Sequence, residues 1–204
     1  MSNPITTTNV NSRANTSEWI RGIVFTALFG ALFIAGSYIK FRIGFSTVPI
    51  TLQTFAVILA GGLLGATYGF MSIFIVILLT ALGLPLMGEG SGLSKMTGAS
   101  AGFIWMFPIA AFLLGWICDK LFAGRSRLTI VRLIVLFLST FLIGSLLLYV
   151  TGAPWLAHYL HWDLDTTLRK GIYVYLPGDV LKSVAGAIVI AALRPVLPKI
   201  RPSK

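Results

Sequence analysis

The chain has 204 residues, of which 56% are hydrophobic and only 11% charged, and its formal net charge at pH 7 is +10. A soluble domain carries roughly 25% charged residues, so this composition excludes an ordinary soluble protein and predicts an integral membrane protein. The basic residues cluster in short connections between apolar segments, which is typical of the flanks of spanning helices rather than of a nucleic-acid-binding surface. The single cysteine, Cys118, excludes a disulfide framework.

The chain begins with a polar segment, residues 1–16, which is rich in Ser, Thr and Asn. Such a composition buries too little apolar surface to fold, so we expect a disordered cytoplasmic tail. The tail has no charged start leading into a short apolar core, so it does not resemble a cleaved signal. We expect the membrane domain over 17–198 and a second, basic cytoplasmic tail over 199–204.

Six apolar segments follow the tail, and a spanning helix needs about 20 mainly apolar residues. They cover residues 18–38, 48–64, 66–84, 99–118, 130–150 and 176–196. The second and third are nearly continuous, and we expect a tight turn around Gly61–Gly65 to join them. Without that turn the chain would have five spans. The sequence therefore predicts an all-α integral membrane protein, a compact bundle of six transmembrane helices.

The basic residues predict the orientation of this bundle. Ten lie at one set of segment ends and five at the opposite set, and an excess of Lys and Arg marks the cytoplasmic side. The ten are Arg13, Arg21, Lys120, Arg125, Arg127, Arg132, Arg194, Lys199, Arg201 and Lys204. The five are Lys40, Arg42, Lys95, Arg169 and Lys170. Both termini are therefore expected in the cytoplasm, as six spans require.

The first apolar segment repeats a small residue every four positions, at Ala27, Ala31 and Ala35, with three glycines nearby. In lipid, small residues at this spacing let two helices approach closely. The pattern suits either contact with a partner protein or packing within the bundle, and it does not decide between them.

Two connections on the predicted external side are long, 83–98 and 151–175. Binding function concentrates in connections held by a rigid scaffold, so both are candidate lids over an outward-facing pocket. The second could also cap the bundle with an interfacial aromatic belt. Its histidines, His158 and His161, lack a further His or Cys nearby, so we expect no metal site.

The last apolar segment contains two ionisable residues, Asp179 and Lys182, three positions apart. Charged groups within a spanning helix are costly and usually face a cavity, so they predict a functional site. Their spacing places both on one helix face, where they can contact each other or a shared polar ligand. The alternative is an ion pair that only holds two helices together.

The sequence lacks the motifs of several other membrane functions. It contains no P-loop, and its serines have no base at a recognisable spacing, so neither an ATPase nor a serine hydrolase is supported. No paired, Gly- or Pro-broken helices are evident, which a self-sufficient secondary transporter often shows. We therefore expect a binding protein without a cofactor, whose energy source lies in other subunits.

Several short stretches occur in a characteristic order along these segments. They are Val48-Pro-Ile-Thr-Leu-Gln-Thr-Phe55, Leu59-Ala-Gly-Gly-Leu-Leu-Gly65, Gly83-Leu-Pro85, Gly98-Ala-Ser-Ala-Gly-Phe-Ile104 with Phe107, and Pro177-Gly-Asp-Val-Leu-Lys182. Together they make the chain, from about residue 20 to 196, resemble the BioY family. This family comprises the biotin-specific substrate-binding (S) components of energy-coupling-factor (ECF) vitamin transporters. The fourth stretch departs from the usual Gly-Pro-Thr-Gly-Gly-Tyr, since Phe103 replaces the tyrosine and removes one hydroxyl near the ligand.

The resemblance implies a six-helix bundle in a bacterial cell membrane, with both termini inside and a biotin pocket beneath the external loops. It also implies an ATPase pair and a transmembrane coupling subunit, a module that can be shared or absent in this family. Ala27, Ala31 and Ala35 are then the docking face for the coupling subunit.

Biotin has a ureido ring with two N–H donors and one carbonyl acceptor. Asp179 and Lys182 can hydrogen-bond to these groups. Under the resemblance, Asp179 accepts from the N–H groups, and Lys182 donates to the carbonyl or holds Asp179 ionised. The apolar part of biotin needs apolar walls. The candidates are Phe103, Trp105, Tyr173 and Tyr175, and each is alternatively a core or interfacial residue.

Polar contacts to the rest of biotin have several candidates. Lys95 is the first candidate for the ligand carboxylate, with Lys40 and Arg42 as rivals. Gln53 and Thr51 lie near the external end of the second span. They supply polar contacts to the ligand or only satisfy backbone groups at the helix end.

Two other functions stay open at this point. One is an S-component for another vitamin or a related small metabolite, which ligand specificity would separate from a biotin protein. The other is a non-transport intramembrane bundle subunit, or a small intramembrane enzyme, in which Asp179 and Lys182 only stabilise the fold. In that case Asp179→Asn would lower stability without any effect on a ligand.

Overall fold

The computed structural model describes residues 4–41, 50–88, 92–124 and 128–197. For residues 4–16 it describes the backbone only. Within these ranges the chain is helical apart from one short strand pair. Strand β1 (Lys40–Phe41) pairs antiparallel with β2 (Ile50–Thr51). The all-helical membrane fold predicted from composition is confirmed.

Nine α-helices lie in the described part of the chain. They are α1 (Pro4–Tyr38), α2 (Gln53–Leu64), α3 (Ala66–Ala81), α4 (Gly92–Thr97), α5 (Ala101–Leu121), α6 (Ile130–Phe141), α7 (Leu147–Leu160), α8 (Leu164–Leu168) and α9 (Leu176–Leu193). Two π-helical turns extend them. Leu142–Leu146 joins α6 to α7, and Arg169–Tyr173 follows α8 directly.

Four helical stretches in the described ranges are long and apolar enough to cross a membrane. They are Ser17–Tyr38, Ala101–Leu121, Ile130–Leu160 and Leu164–Leu193. The other two predicted spans contain apolar helices of only 12 and 16 residues, α2 and α3. Each of the six predicted segments therefore contains a helix, while the count of six membrane crossings stays a prediction.

Some sequence-based predictions fall on parts of the chain that the structure does not describe. Arg42, the start of the second apolar segment at 48–49, and the tail at 199–204 lie outside the described residues. Helix α1 begins at Pro4, inside the segment expected as a disordered tail. The domain boundaries at 16 and 198 stay predictions.

The tight turn predicted between the second and third segments is confirmed at Gly65. This residue has φ 81°, a conformation that favours glycine, and its N–H donates to Gly61 O at 2.9 Å. Close packing accompanies the turn. A Cβ atom on Gly61 would lie 2.4 Å from Ala111 O, so α2 and α5 touch backbone to backbone there. The small residues let the two chain segments reverse direction and pack within the bundle.

Helix α2 lies at the centre of the molecule. Its residues 56–64 are all buried, and Ile58 has no exposed surface. Helix α6, in contrast, exposes a row of large apolar side chains that includes Ile130, Val131 and Ile134. A large exposed apolar surface of this kind is expected where a helix faces lipid.

The small residues of α1 lie on two different faces. Gly22, Gly30 and Gly36 are buried, and a Cβ on Gly30 would lie 3.3 Å from Ser72 O of α3. Ala27, Ala31 and Ala35 are exposed. The glycine face therefore packs inside the bundle, and the alanine face is not used by the described part of the chain.

The connection expected over 151–175 is largely helical, so the prediction of a long loop was wrong. Helix α7 continues to Leu160 and ends at His161, which has φ 53°. Apolar length marks the part of a helix that crosses a bilayer and does not mark the helix end. Tertiary contacts hold the extension, since Trp155 Nε1 donates to Gly98 O at 2.9 Å and Thr151 Oγ1 to Gly102 O at 2.8 Å.

One ion pair ties together several helix ends at the C-terminal end of α9. Arg194 Nη2 lies 2.5 Å from Asp119 Oδ1, and Arg194 Nη1 donates to the carbonyl of Gly62 at the end of α2. The other oxygen of Asp119 accepts from the N–H of Ala66, the first residue of α3, at 3.2 Å. The pair thus satisfies backbone groups that helix ends leave open. From the sequence alone, Arg194 served only to predict the orientation of the bundle in the membrane.

Candidate functional site

A cavity of about 290 Å³ lies at the other end of α9, near its N-terminus. Its lining comes from α1, β1, β2, α2, α4, α5, α7, α9, the π-helical turn at 142–146 and the connections beside them. Eight of the eleven candidate ligand contacts line this cavity. They are Asp179, Lys182, Phe103, Tyr175, Gln53, Thr51, Lys95 and Lys40. Residues far apart in sequence are thus brought together at one place.

Asp179 and Lys182 form an ion pair in the wall of the cavity. Lys182 Nζ lies 3.3 Å from Asp179 Oδ1, and their side chains are only 11% and 7% exposed. Asp179 lies in the first turn of α9, where the helix dipole favours a negative charge. Lys182 follows one turn later on the same face, as the spacing predicts. The pair is nearly removed from water and borders empty space.

Tyr149 is a third member of this group and was not predicted from the sequence. Its hydroxyl donates to Asp179 Oδ2, and its ring packs edge-to-face on Phe103 with centroids 5.9 Å apart. Tyr149 follows a long apolar run, where a tyrosine ordinarily marks the membrane interface. The signal that could have found it is its hydroxyl, since a buried tyrosine hydroxyl usually has a hydrogen-bond partner.

Gln53, which lines the cavity, carries an unsatisfied side-chain donor. Its Oε1 accepts from Thr51 Oγ1 at 3.4 Å, while its Nε2 is buried and has no hydrogen-bond partner among the described residues. Buried polar groups without a partner are rare in native proteins and call for an explanation. A ligand acceptor in the cavity would supply the missing partner.

Both lysine candidates for a ligand carboxylate line the cavity. Lys95 reaches it from α4, and Lys40 from β1. Thr51 also lies in the wall. The geometry brings both cations to the site, while Arg42, the third candidate, lies outside the described residues.

Trp105 and Tyr173 do not line the cavity, contrary to the sequence-based prediction. Trp105 is 52% exposed and its indole N–H donates to Met96 O at 3.2 Å, while Tyr173 is 57% exposed. Trp105 lies two positions from Phe103, which does line the cavity. Positions two apart on a helix are separated by about 200° around the axis, so Phe103 and Trp105 cannot both face the cavity. Tyr173 ends the π-helical turn that precedes Tyr175.

The cavity suits binding rather than catalysis. Its lining combines one acid, three lysines and neutral polar groups with apolar side chains such as Ile104, Phe107 and Leu148. Sites for small molecules are typically apolar with a few placed polar groups. Among the described residues no cluster of three His, Cys, Asp or Glu could hold a metal ion, His158 and His161 included.

Comparison with known proteins identifies the family of this chain. The family model described as the BioY family matches residues 6–199. A "Biotin transporter BioY" of Rhizobium etli is 35% identical over 183 residues, which cover 87% of this chain and 97% of that protein. A "Probable biotin transporter BioY" of Pyrococcus horikoshii is 37% identical over 169 residues, 82% of this chain and 93% of that protein.

A solved structure has the same fold. It is a crystal structure of the S-component for biotin from an ECF-type ABC transporter, with a TM-score of 0.74 and 29% identity. The likeness covers 86% of this chain and 91% of the other. With a family match over nearly the whole length and relatives above 30% identity, the chain belongs to the BioY family.

Proposed function

We propose that this protein is the membrane-embedded, high-affinity biotin-binding component of an ECF-type uptake transporter. It captures biotin in the cavity at the start of α9 for ATP-driven import by separate subunits. The observation that carries the proposal is the buried Asp179–Lys182 pair in a cavity wall, beside the unsatisfied amide donor of Gln53. As a member of the BioY family, the protein is a transport component and not an enzyme.

Biotin matches the groups around the cavity. The carboxylate of Asp179 accepts from the ureido N–H groups, and Lys182 donates to the ureido carbonyl. Phe103 and Tyr175 contact the apolar part of the ligand. Lys95 pairs with the valerate carboxylate, with Lys40 as its rival, and Gln53 Nε2 donates to a ligand oxygen. A site with so many polar groups rejects a ligand that leaves them unpaired.

The arrangement in the membrane follows from the basic residues and from burial. We propose six crossings with both termini in the cytoplasm of a bacterium, a membrane domain over 17–198 and cytoplasmic tails at 1–16 and 199–204. Helix α2 is short for a crossing, yet its residues 56–64 are buried among other helices, so it need not face lipid. The ten-to-five distribution of basic residues supports this orientation.

The partners are a transmembrane coupling subunit and an ATPase pair, which can be shared with other S-components or absent. We propose that Ala27, Ala31 and Ala35 form the docking face for the coupling subunit. Their exposure supports this, since the glycines of the same helix already supply the close packing inside the bundle.

The test is a binding measurement on the purified protein in detergent, with biotin, thiamine and riboflavin as ligands. We expect the wild type to bind biotin alone and Asp179→Asn to lose about hundredfold or more in affinity, because truncating one partner of a buried charge pair has a large effect. Asp165→Asn is the matched control. Asp165 also pairs with a basic residue, Arg169 at 3.0 Å, but its side chain is 67% exposed and outside the cavity.

Thermal unfolding of each variant completes the test. Wild-type protein that ignores biotin and binds another vitamin would contradict the ligand assignment. An Asp179→Asn variant that unfolds more easily yet binds biotin as the wild type does would make the pair purely structural.

A further inference from the structure

We propose that Tyr149 is a positioning residue that sets the specificity of the site for the ring of its ligand. Its hydroxyl holds the Asp179 carboxylate in place and partly neutralises its negative charge, which favours a neutral cyclic urea over a positively charged ring. This inference rests on the proposed function, since it concerns the same cavity and ligand.

The hydrogen bonds of Asp179 support this role. Lys182 donates to Oδ1 and Tyr149 donates to Oδ2, so each oxygen already holds one donor from the protein. A carboxylate has about four acceptor positions, so about one remains on each oxygen. The two N–H groups of a cyclic urea point to opposite sides of its carbonyl, so one of them donates to Asp179. Without the Tyr149 hydroxyl, the carboxylate would lose one of the two contacts that fix its orientation.

The contacts between α7 and α9 fix Tyr149 in this place. Ser145 and Tyr149 are four residues apart, as are Asp179 and Ser183, and the serines hydrogen-bond to each other at 3.2 Å. The two helices are therefore joined by two successive polar contacts, one of which is Tyr149–Asp179. Ser145 lies in the π-helical turn at 142–146, and Tyr149 follows three residues after its end. Such turns are often found at functional sites.

The charge of the group explains the choice between rings. Asp179 and Lys182 together carry no net charge, and Tyr149 adds a donor without adding a charge. A neutral cyclic urea offers one N–H group to Asp179 and, next to it, a carbonyl to Lys182. A guanidinium ring places a positive charge near Lys182 and offers that lysine no acceptor.

The experiment compares three ligands on the purified protein: biotin, desthiobiotin and 2-iminobiotin. Desthiobiotin keeps the ureido ring and lacks the thioether, while 2-iminobiotin carries a guanidinium ring at neutral pH. For Tyr149→Phe we expect biotin and desthiobiotin affinities to fall together, by about tenfold, since the hydroxyl bonds a charged group. The preference for biotin over 2-iminobiotin should shrink by a similar factor, because the carboxylate without this donor presents more negative charge to the cationic ring.

Tyr159→Phe is the matched control, because Tyr159 lies on the same helix, is 50% exposed and does not line the cavity. It should leave all three affinities unchanged. Equal losses for the three ligands in Tyr149→Phe, or no loss, would overturn the positioning role while leaving the proposed function intact. Wild-type protein that does not bind biotin would overturn both.

A second measurement keeps the inference testable if Tyr149→Phe fails to fold. The wild type itself should bind biotin at least about tenfold more tightly than 2-iminobiotin. Equal affinities would overturn the proposed selection of a neutral ring.

Discussion

The two ends of helix α9 each carry a charged residue with a partner, and the comparison between them separates structure from function. At the C-terminal end, Arg194 and Asp119 hydrogen-bond to each other and to the backbone of Gly62 and Ala66. At the N-terminal end, Asp179 and Lys182 pair beside a cavity. An ion pair in a membrane protein is therefore not by itself a binding site.

What distinguishes the two ends is the hydrogen-bonding capacity that the folded protein leaves unused. The pair at the C-terminal end supplies hydrogen-bond partners to helix ends, and neither of its residues lines the cavity. The pair at the N-terminal end has acceptor and donor positions left over, and Gln53 beside it has an amide donor without a partner among the described residues. Unused polar capacity in a buried cavity is unfavourable unless a ligand satisfies it.

The largest expected effect breaks the pair at the C-terminal end. Arg194→Ala removes the partner of Asp119 and one donor to a helix-end carbonyl, so the free energy of unfolding should fall by about 3–5 kcal/mol. Chemical or thermal unfolding in detergent measures this. As a control, Arg169→Ala breaks the exposed pair with Asp165 and should change it by less than about 1 kcal/mol. A loss of biotin affinity in folded Arg194→Ala would contradict a purely structural role.

A smaller effect is expected from the two faces of α1, which extend the comparison. Gly30→Leu forces a side chain into the packed face and should lower the free energy of unfolding by about 1–3 kcal/mol. Ala31→Leu, at the neighbouring exposed position, should leave stability and biotin affinity unchanged but reduce biotin uptake by cells that contain the coupling module. Unfolding, binding and uptake assays on both variants check this. Unchanged uptake in Ala31→Leu would contradict docking at this face.

The smallest effects concern Gln53. Its replacement should leave stability unchanged or higher, while biotin binding should weaken. Gln53→Leu removes a buried donor without a partner, so the ligand-free protein should unfold at the same or a higher temperature. Biotin affinity should fall by about fivefold, because one hydrogen bond to the ligand is lost. A titration calorimeter and an unfolding scan measure the two effects. Lower stability without biotin would show that Gln53 serves the fold.

Local patterns predicted much of this fold and site. Apolar length located a helix in each of the six predicted segments, the glycines placed the turn at Gly65, and the spacing of Asp179 and Lys182 placed both on one face. Eight of the eleven candidate ligand contacts line one cavity, and their part in binding stays a prediction. These features could be predicted because each depends on neighbours in sequence or on the cost of charge in a membrane.

The missed features depend on contacts between distant segments. Tyr149 hydrogen-bonds to Asp179, which is 30 residues away, and Arg194 pairs with Asp119, which is 75 residues away. No local pattern therefore reveals either partner. The extension of α7 to Leu160 depends on hydrogen bonds to the start of α5. Trp105 was misplaced because a resemblance identifies a stretch of sequence, while the helical period decides which of its side chains face inward.

The most direct test of the difference between the two ends is the rise in unfolding temperature that saturating biotin causes. A ligand that binds only the folded state raises this temperature by an amount that grows with the logarithm of its concentration divided by its Kd. For Arg194→Ala we predict a lower starting temperature and the full wild-type rise. For Asp179→Asn we predict a rise close to zero. A full rise in Asp179→Asn, or an equal loss of the rise in both variants, would contradict the assignment of binding to one end and structure to the other.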